Sequence, residues 1–414
     1  MSENSFTRRD FAKVGAASTF AILASDQRAK AATNNDTLKV GLLGCGGRGS
    51  GALQQMLQGN SNVQLTAMAD IFQDRVDEKL KRFEKNRGVN KQVDVKPDHI
   101  FVGIDSYKEI IKTDIDILIH GTTPYIRPTH ILEAVKAGKH IFTEKPAAVD
   151  PAGIRTFIEA ADLADEKSLS FVTGLQRRHQ QPYMETMKKI HDGAIGDITS
   201  MRAYWCGTLP FVYPRKPEWK TDLEYHLRNW YGINWVCGDN IVEQHVHNLD
   251  VINWAKDAYP TSVFASGGRT WKPSEERFGD IYDHFSCDYE YADGSHLMSM
   301  SRHWQGAGGV FEEITGTKGK SNCRDMGEEG RDPYVQEHID LVQSIMGNEP
   351  RRNEGHRTAY STLTAIMGRM SAYTGRKITW DEALNADLNI VPELSWKTSY
   401  PVGPVPAPGA HKLA

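Results

Sequence analysis

The chain has 414 residues and a formal net charge of −4, a length that suits two domains. Mild acidity argues against nucleic acid or anionic membrane surfaces as partners. No stretch approaches the roughly 18 apolar residues of a membrane span, and the five cysteines are scattered, with no CxxC pair and no disulfide framework.

The first element in chain order is a leader. Thr7-Arg8-Arg9-Asp10-Phe11-Ala12-Lys13 precedes a mildly apolar run, Val14 to Ala24, and a small-residue site at Ala29-Lys30-Ala31. The paired arginines, the phenylalanine and the lysine favour a twin-arginine export signal over residues 1–31 rather than an amphipathic first helix. Its five Lys/Arg against three Asp/Glu leave the mature chain at −6. No cysteine follows at a lipid-attachment position, so a soluble periplasmic or otherwise exported protein is expected. This export route carries folded proteins, which fits the absence of a disulfide framework.

Leu38 to Leu43 reads as a buried strand, followed by Gly44-Cys45-Gly46-Gly47-Arg48-Gly49 and a helix from about Ser50 to Leu57. Gly44 suits a tight turn, Gly46 close approach to a pyrophosphate, and Gly49 close packing of helix on sheet. The helix N-terminus then offers unpaired N–H groups to phosphate. A second strand, Val63 to Met68, ends in Ala69-Asp70, and Asp70 stands at the distance expected for a carboxylate on the ribose hydroxyls. A carboxylate there repels a 2′-phosphate, so NAD is favoured, with NADP left open by the nearby Arg48 and Arg75.

Strand–helix alternation continues through Ile115 to His120, His130 to Ala137, Lys139 to Thr143 and Pro151 to Ala164. A last strand, Leu169 to Gly174, closes a parallel sheet covered by helices. Beyond it, Ile198 to Trp205, Ser262 to Ser266, His284 to Tyr291 and His296 to Ser301 alternate like half-exposed strands, the last two joined by a hairpin turn at Tyr291 to Ser295. Tyr334 to Met346 and Ala359 to Tyr373 read as amphipathic helices. The expected fold is α/β: a dinucleotide-binding domain (37–174), an α+β domain with an open-faced, mostly antiparallel sheet (175–390), and a proline-rich arm (391–414) over the surface or a neighbouring subunit.

Glu144-Lys145-Pro146 follows a strand end on the ligand side of such a sheet, where a lysine can bond a substrate hydroxyl beside a nicotinamide ring. Glu243-Gln244-His245-Val246-His247-Asn248-Leu249-Asp250 is the densest titratable cluster. Glu243 and His247 share a face if the segment is helical; His247 can take a hydroxyl proton, and Glu243 can orient its ring or bond substrate. Three metal ligands on an extended ExHxH strand, or histidines packed within a helix, are the competing readings. Trp205, Trp230, Tyr231, Trp235, Arg177, Arg178 and Asn229 form a group suited to a sugar. Asp283-His284 and Arg302-His303 are weaker candidates near strand ends. Expected cofactor contacts are Gly44, Gly46, Gly47, Arg48, Gly49, Asp70, Glu144 and Lys145. Expected substrate contacts are Lys145, Arg178, Trp230, Glu243 and His247; the catalytic set is Lys145, His247 and Glu243, with no metal.

These motifs resemble the Gfo/Idh/MocA family, the glucose–fructose oxidoreductase and inositol dehydrogenase relatives, over essentially the whole mature chain. The likeness is most specific at Gly44 to Gly49, at Ala137-Gly138-Lys139-His140 leading into Glu144-Lys145-Pro146, and at His247 to Asp250. It implies that Lys145 matches the lysine that contacts substrate and nicotinamide, and that His247 matches the acid/base histidine. Glu243 stands where the family usually has Asp, and His245 where it usually has Gly. The resemblance also implies a Rossmann domain plus an open-faced sheet that often forms oligomer interfaces, hence a homo-oligomer. The leading expectation is an exported NAD-dependent oxidoreductase acting on a sugar, glycoside or polyol, with a tightly held cofactor. The alternative is a redox-neutral NAD-dependent glycosidase working by oxidation and elimination. A third possibility is a non-catalytic, cofactor-bound sugar-binding protein.

Overall fold

In the computed structural model, which describes residues 37–411, the chain forms two sheets joined by helices that cross between them. The expected leader, 1–31, lies outside the described residues. The first sheet takes β1 (Leu38–Leu43), β2 (Val63–Asp70), β3 (Ile100–Val102), β4 (Ile117–His120), β5 (His140–Thr143) and β6 (Phe171–Thr173), in the spatial order β3-β2-β1-β4-β5-β6, all parallel. Strand order reverses between β1 and β4, and ligands bind at such a switch point, outside the carboxyl ends of the strands. Both faces are covered, so the strands are nearly continuous apolar runs.

Helices α1 (Gly47–Gly59), α2 (Gln73–Lys85), α3 (Ser106–Ile110), α4 (Arg127–Lys136) and α5 (Pro151–Glu166) alternate with these strands. The first helix begins at Gly47, three residues before the expected Ser50, because the glycines themselves adopt helical backbone.

The second sheet takes β7 (Ile198–Cys206), β8 (Ser262–Gly268), β9 (His284–Glu290), β10 (His296–Arg302), β11 (Val310–Gly316), β12 (Lys320–Ser321) and β13 (Ile378–Thr379), in the order β12-β11-β7-β10-β9-β8-β13. Its pairs are antiparallel except β7 with β10. The strand β11 escapes a pattern reading because Glu312 points inward, where an apolar residue is expected; Arg177 and Tyr183 hold it there.

Before the second sheet closes, α6 (Gln181–His191), α7 (Asp222–Arg228), α8 (Asn234–Cys237), α9 (Asn240–Glu243) and α10 (Val246–Lys256) are laid down, followed later by α11 (Pro333–Ile345), α12 (Gly355–Thr374) and α13 (Trp380–Asn385). One sheet face is covered by α10 and α12, whose Leu249, Ile252, Leu363 and Ile366 join Val263, Phe285 and Leu297 in one core. The other face is open, with Phe264 60% and Met298 43% exposed.

Within the stretch expected as the second domain, 175–390, one helix packs on the first sheet. Leu341, Val342 and Ile345 of α11 pack into the core of the first sheet with Leu53, Met56 and Leu57 of α1. The residues after α11 also run along the free edge of β6, where the Phe171 N–H donates to the Arg352 carbonyl and the Glu354 N–H to that of Phe171. An unpaired edge and an uncovered helix would otherwise face water, so the chain returns to cover them. The proline-rich arm lies on the chain's own surface. Ile390, Leu394, Tyr400 and Val402 pack with Phe72, Tyr125, Leu223 and Trp235, and Asp222 accepts from the Tyr400 N–H and the Ser399 hydroxyl.

Candidate active site

The carboxyl ends of β1, β2, β4 and β5 open into one cleft of about 460 Å³, closed on the far side by Phe211, Tyr213, Leu227, Arg228, Trp230 and Glu243 from the second domain. At its floor, Gly44 has φ +94°, and a Cβ there would stand 2.5 Å from the Thr122 nitrogen. A Cβ on Gly49 would stand 2.1 Å from the Gly44 carbonyl oxygen, so only glycine lets α1 approach the strand ends this closely. At Gly46 and Gly47, by contrast, a Cβ would meet only Arg75 Nη1 at 3.9 Å or nothing. That open cradle, beside a helix N-terminus with no side-chain cap, fits a pyrophosphate.

Asp70 closes β2 and is buried. One carboxylate oxygen accepts from the Cys45 N–H at 2.7 Å and the other from the Phe72 N–H at 2.9 Å. It therefore braces the glycine loop as well as lining the cleft, and burial raises its pKa. Arg48 lines the same cleft. Its Nε donates to Glu144 at 2.6 Å and its guanidinium lies over the Tyr334 ring at 4.9 Å. Arg75 remains beside Asp70 in the cleft wall.

At the other end, Lys145 Nζ donates to the Glu243 carboxylate at 2.8 Å and to the Glu243 carbonyl at 2.5 Å. Glu243 thus holds the lysine and not the His247 ring. The segment is not one helix: α9 ends at Glu243, Gln244 and His245 form a turn, and α10 starts at Val246. Nor is it extended, so the strand geometry of the three-ligand metal reading is not formed. His245 turns into the sheet and meets Ser299 Oγ at 2.6 Å, a packing role. His247 stacks near Trp205, ring centroids 6.0 Å apart, with its Nδ1 buried and without a partner. Burial, then the charges of Lys145, Arg177 and Arg48, push its pKa well below the usual value. The ring is therefore neutral at neutral pH and able to accept a proton.

The other sugar candidates separate. Trp230 lines the cleft. Arg178 does not, and its expected substrate contact is corrected: it makes a bidentate pair with buried Asp250, Nε to Oδ2 and Nη2 to Oδ1 both 2.8 Å, and lies over Trp254. The fork that would grip a sugar is already filled. Arg177 pairs with Glu312, Asn229 braces backbone at Tyr213 and Arg277, and Trp235 packs edge-on against Tyr125 at 5.0 Å. Tyr231 is buried, its hydroxyl 3.1 Å from His303 Nε2. Asp283 accepts from the amides of Thr270 and Trp271 and is a loop brace.

Sequence reasoning missed Phe211, Tyr213, Arg228 and Arg127. The last is buried and ties the Thr122 and Pro146 carbonyls together, which fixes the two loops that carry the cleft. A phenylalanine and a tyrosine in an unpatterned loop carry no local signal of a site.

Residues 38–172 match a family model described as an oxidoreductase family with an NAD-binding Rossmann fold, and residues 183–321 match the GFO/IDH/MocA C-terminal domain. The inositol 2-dehydrogenase of Salmonella typhimurium is 25% identical over 221 residues, 53% of this chain and 54% of that protein. The chain thus spans about half the length of that relative. Among solved structures, myo-inositol 2-dehydrogenase from Lactobacillus plantarum aligns with a TM-score of 0.65 at 18% identity, over 83% of this chain and 99% of that one. Aldose-aldose oxidoreductase from Caulobacter crescentus aligns at 0.65 and 17%, over 83% and 99%. At these identities the structural likeness carries the fold.

Proposed function

The chain belongs to the Gfo/Idh/MocA family of NAD-binding oxidoreductases, and from that premise we propose that it oxidises a ring hydroxyl of a sugar, glycoside or polyol. The observation that carries this reading is a lysine held in the wall of a dinucleotide cleft, with a neutral, buried histidine close enough to feel its charge, although His247 is not itself among the residues that line the cleft. A nicotinamide bound there supplies the hydride acceptor. Lys145 has three N–H donors and spends two on Glu243, which leaves one for the substrate oxygen. Its charge stabilises the oxygen as that becomes negative. His247 takes the hydroxyl proton, for which neutrality is a precondition. The inositol dehydrogenase relatives support a polyhydroxylated ring as substrate.

Export by the twin-arginine leader belongs to the same proposal. Little free NAD is available outside the cytoplasm, so the dinucleotide is loaded before translocation and kept. N-terminal sequencing of the protein from a periplasmic fraction tests this; an intact leader there would count against it. A second copy is placed on the open face of the second sheet, where Phe264 and Met298 are exposed. Phe264→Asp together with Met298→Asp is expected to halve the mass seen in sedimentation.

The central experiment uses protein purified without added cofactor, titrated with sugars and aryl glycosides while absorbance is followed in the reduced-nicotinamide band. A band that rises and stays supports the dehydrogenase. Aglycone release with no lasting band replaces it by the redox-neutral glycosidase, and sugar binding without any spectral change by a binding protein.

A further inference from the structure

Between β7 and α7 the chain leaves regular structure and carries Phe211 and Tyr213 into the wall of the cleft. Their rings are stacked, with centroids 5.4 Å apart and planes at 26°. Trp230 meets Phe211 edge-on at 5.5 Å. All three line the same cleft as Lys145 and Glu243. Tyr213 remains 44% exposed, an aromatic surface open to solvent in the wall of the cleft that holds Lys145 and Glu243. Oxidation of one ring at Lys145 gives these residues nothing to do.

The stack is fixed relative to the catalytic segment. The Tyr213 N–H donates to Asn229 Oδ1 at 2.7 Å. Phe211 packs against Tyr231 at 5.6 Å, and the Tyr231 hydroxyl meets His303, which in turn meets the Gln244 side chain next to Glu243. A side chain held this way is pre-organised for a ligand and loses little freedom on binding. None of the three rings is charged, and Lys145, Arg48 and Arg228 of the same cleft are engaged by Glu243, Glu144 and Asp74. The partner they fit is uncharged and flat, with apolar faces.

We propose that Phe211, Tyr213 and Trp230 form a subsite for a second ring, joined through a glycosidic oxygen to the ring that is oxidised. The substrate is then a glycoside and not a free monosaccharide or cyclitol. The second ring is either another sugar, stacking through its C–H face, or an aryl aglycone. This inference rests on the oxidoreductase reading given above.

The test compares each parent monosaccharide with its disaccharide and its p-nitrophenyl glycoside, using wild type, Tyr213→Ala and Tyr213→Phe. Tyr213 is exposed enough for its loss to leave folding intact. Wild type is expected to favour the two-ring compounds in kcat/KM, and Tyr213→Ala to shrink that preference about tenfold through KM, with Tyr213→Phe restoring it. A gain confined to the disaccharide assigns the subsite to a sugar ring, and one confined to the aryl compound assigns it to an aglycone. Equal kcat/KM for one-ring and two-ring compounds in wild type overturns the proposal. So does loss of bound NAD from Tyr213→Ala, which would give the platform to the cofactor. If no compound changes the nicotinamide absorbance, the oxidoreductase reading fails, and quenching of protein fluorescence then decides the subsite. Saturable quenching by two-ring compounds alone upholds it, and no quenching removes it.

Discussion

His247 stands at the second residue of α10, faces Lys145, Arg177 and Arg48 electrostatically, and keeps a ring nitrogen without a partner. Its depressed pKa sets a pH expectation. The proton-accepting form is the neutral ring, and that form persists below the ordinary histidine value of about 6.5. A profile of kcat/KM against pH is therefore expected to stay flat from pH 8 to 6, with its acid limb lower still; a limb at 6.5 or above would contradict the burial argument. His247→Ala is expected to lower kcat by about 10²- to 10⁴-fold. In Lys145→Met the strongest of the three cations that oppose His247 protonation is gone, so the acid limb of any residual activity should move to higher pH. The cleft position of Lys145 was legible in the sequence because a lysine at a strand end stands out, whereas His247 stood out only as part of a dense titratable cluster. Arg178 misled, because nothing local reveals that Asp250 lies 72 positions away in sequence and fills its fork.

Among the elements, α7 and α2 meet at the end of the cleft lined by Asp70 and Phe72. Arg228 of α7 makes a bidentate pair with Asp74 of α2, both contacts 3.0 Å, and lies 4.0 Å over the Phe72 ring. Trp396 of the arm approaches the same ring, at 6.3 Å. These contacts join the two domains beside Asp70 in the cleft wall. An exposed ion pair with a cation–π contact is worth about 1 kcal/mol, so Arg228→Ala is expected to release NAD about fivefold faster. Dissociation of nucleotide into an enzymatic trap measures it, and an unchanged rate would show that retention lies elsewhere. The elements themselves were largely visible: β1 matches its expected bounds, and β2, β7, β9 and β10 fall within one or two residues. The short edge strand β3 was not, since its Ile100 and Phe101 are only half-buried and too brief to show a period.

For the molecule as a whole, burial of histidines ties stability to pH. His130 and His245 are pushed down to about 3, and His140 to about 4, by burial. Each is neutral in the folded protein yet protonates near 6.5 when unfolded. Below that value the unfolded state binds more protons, so stability falls as pH falls, by about 1.4 kcal/mol per pH unit for each such group. Urea midpoints at pH 5 and pH 7 should differ by a large margin in favour of pH 7; equal midpoints would mean these rings are protonated in the fold. The parallel sheet, the glycine cradle and the Asp70 carboxylate are readable from the residues alone, because each is a short-range pattern whose period or spacing is set by local backbone geometry. The return of α11 to cover the first sheet, the hold of Glu243 on Lys145 instead of His247, and the place of Phe211 and Tyr213 in the cleft wall emerge from the folded chain alone. Those outcomes depend on which surfaces remain to be buried once the sheets have formed, and no local spacing encodes that.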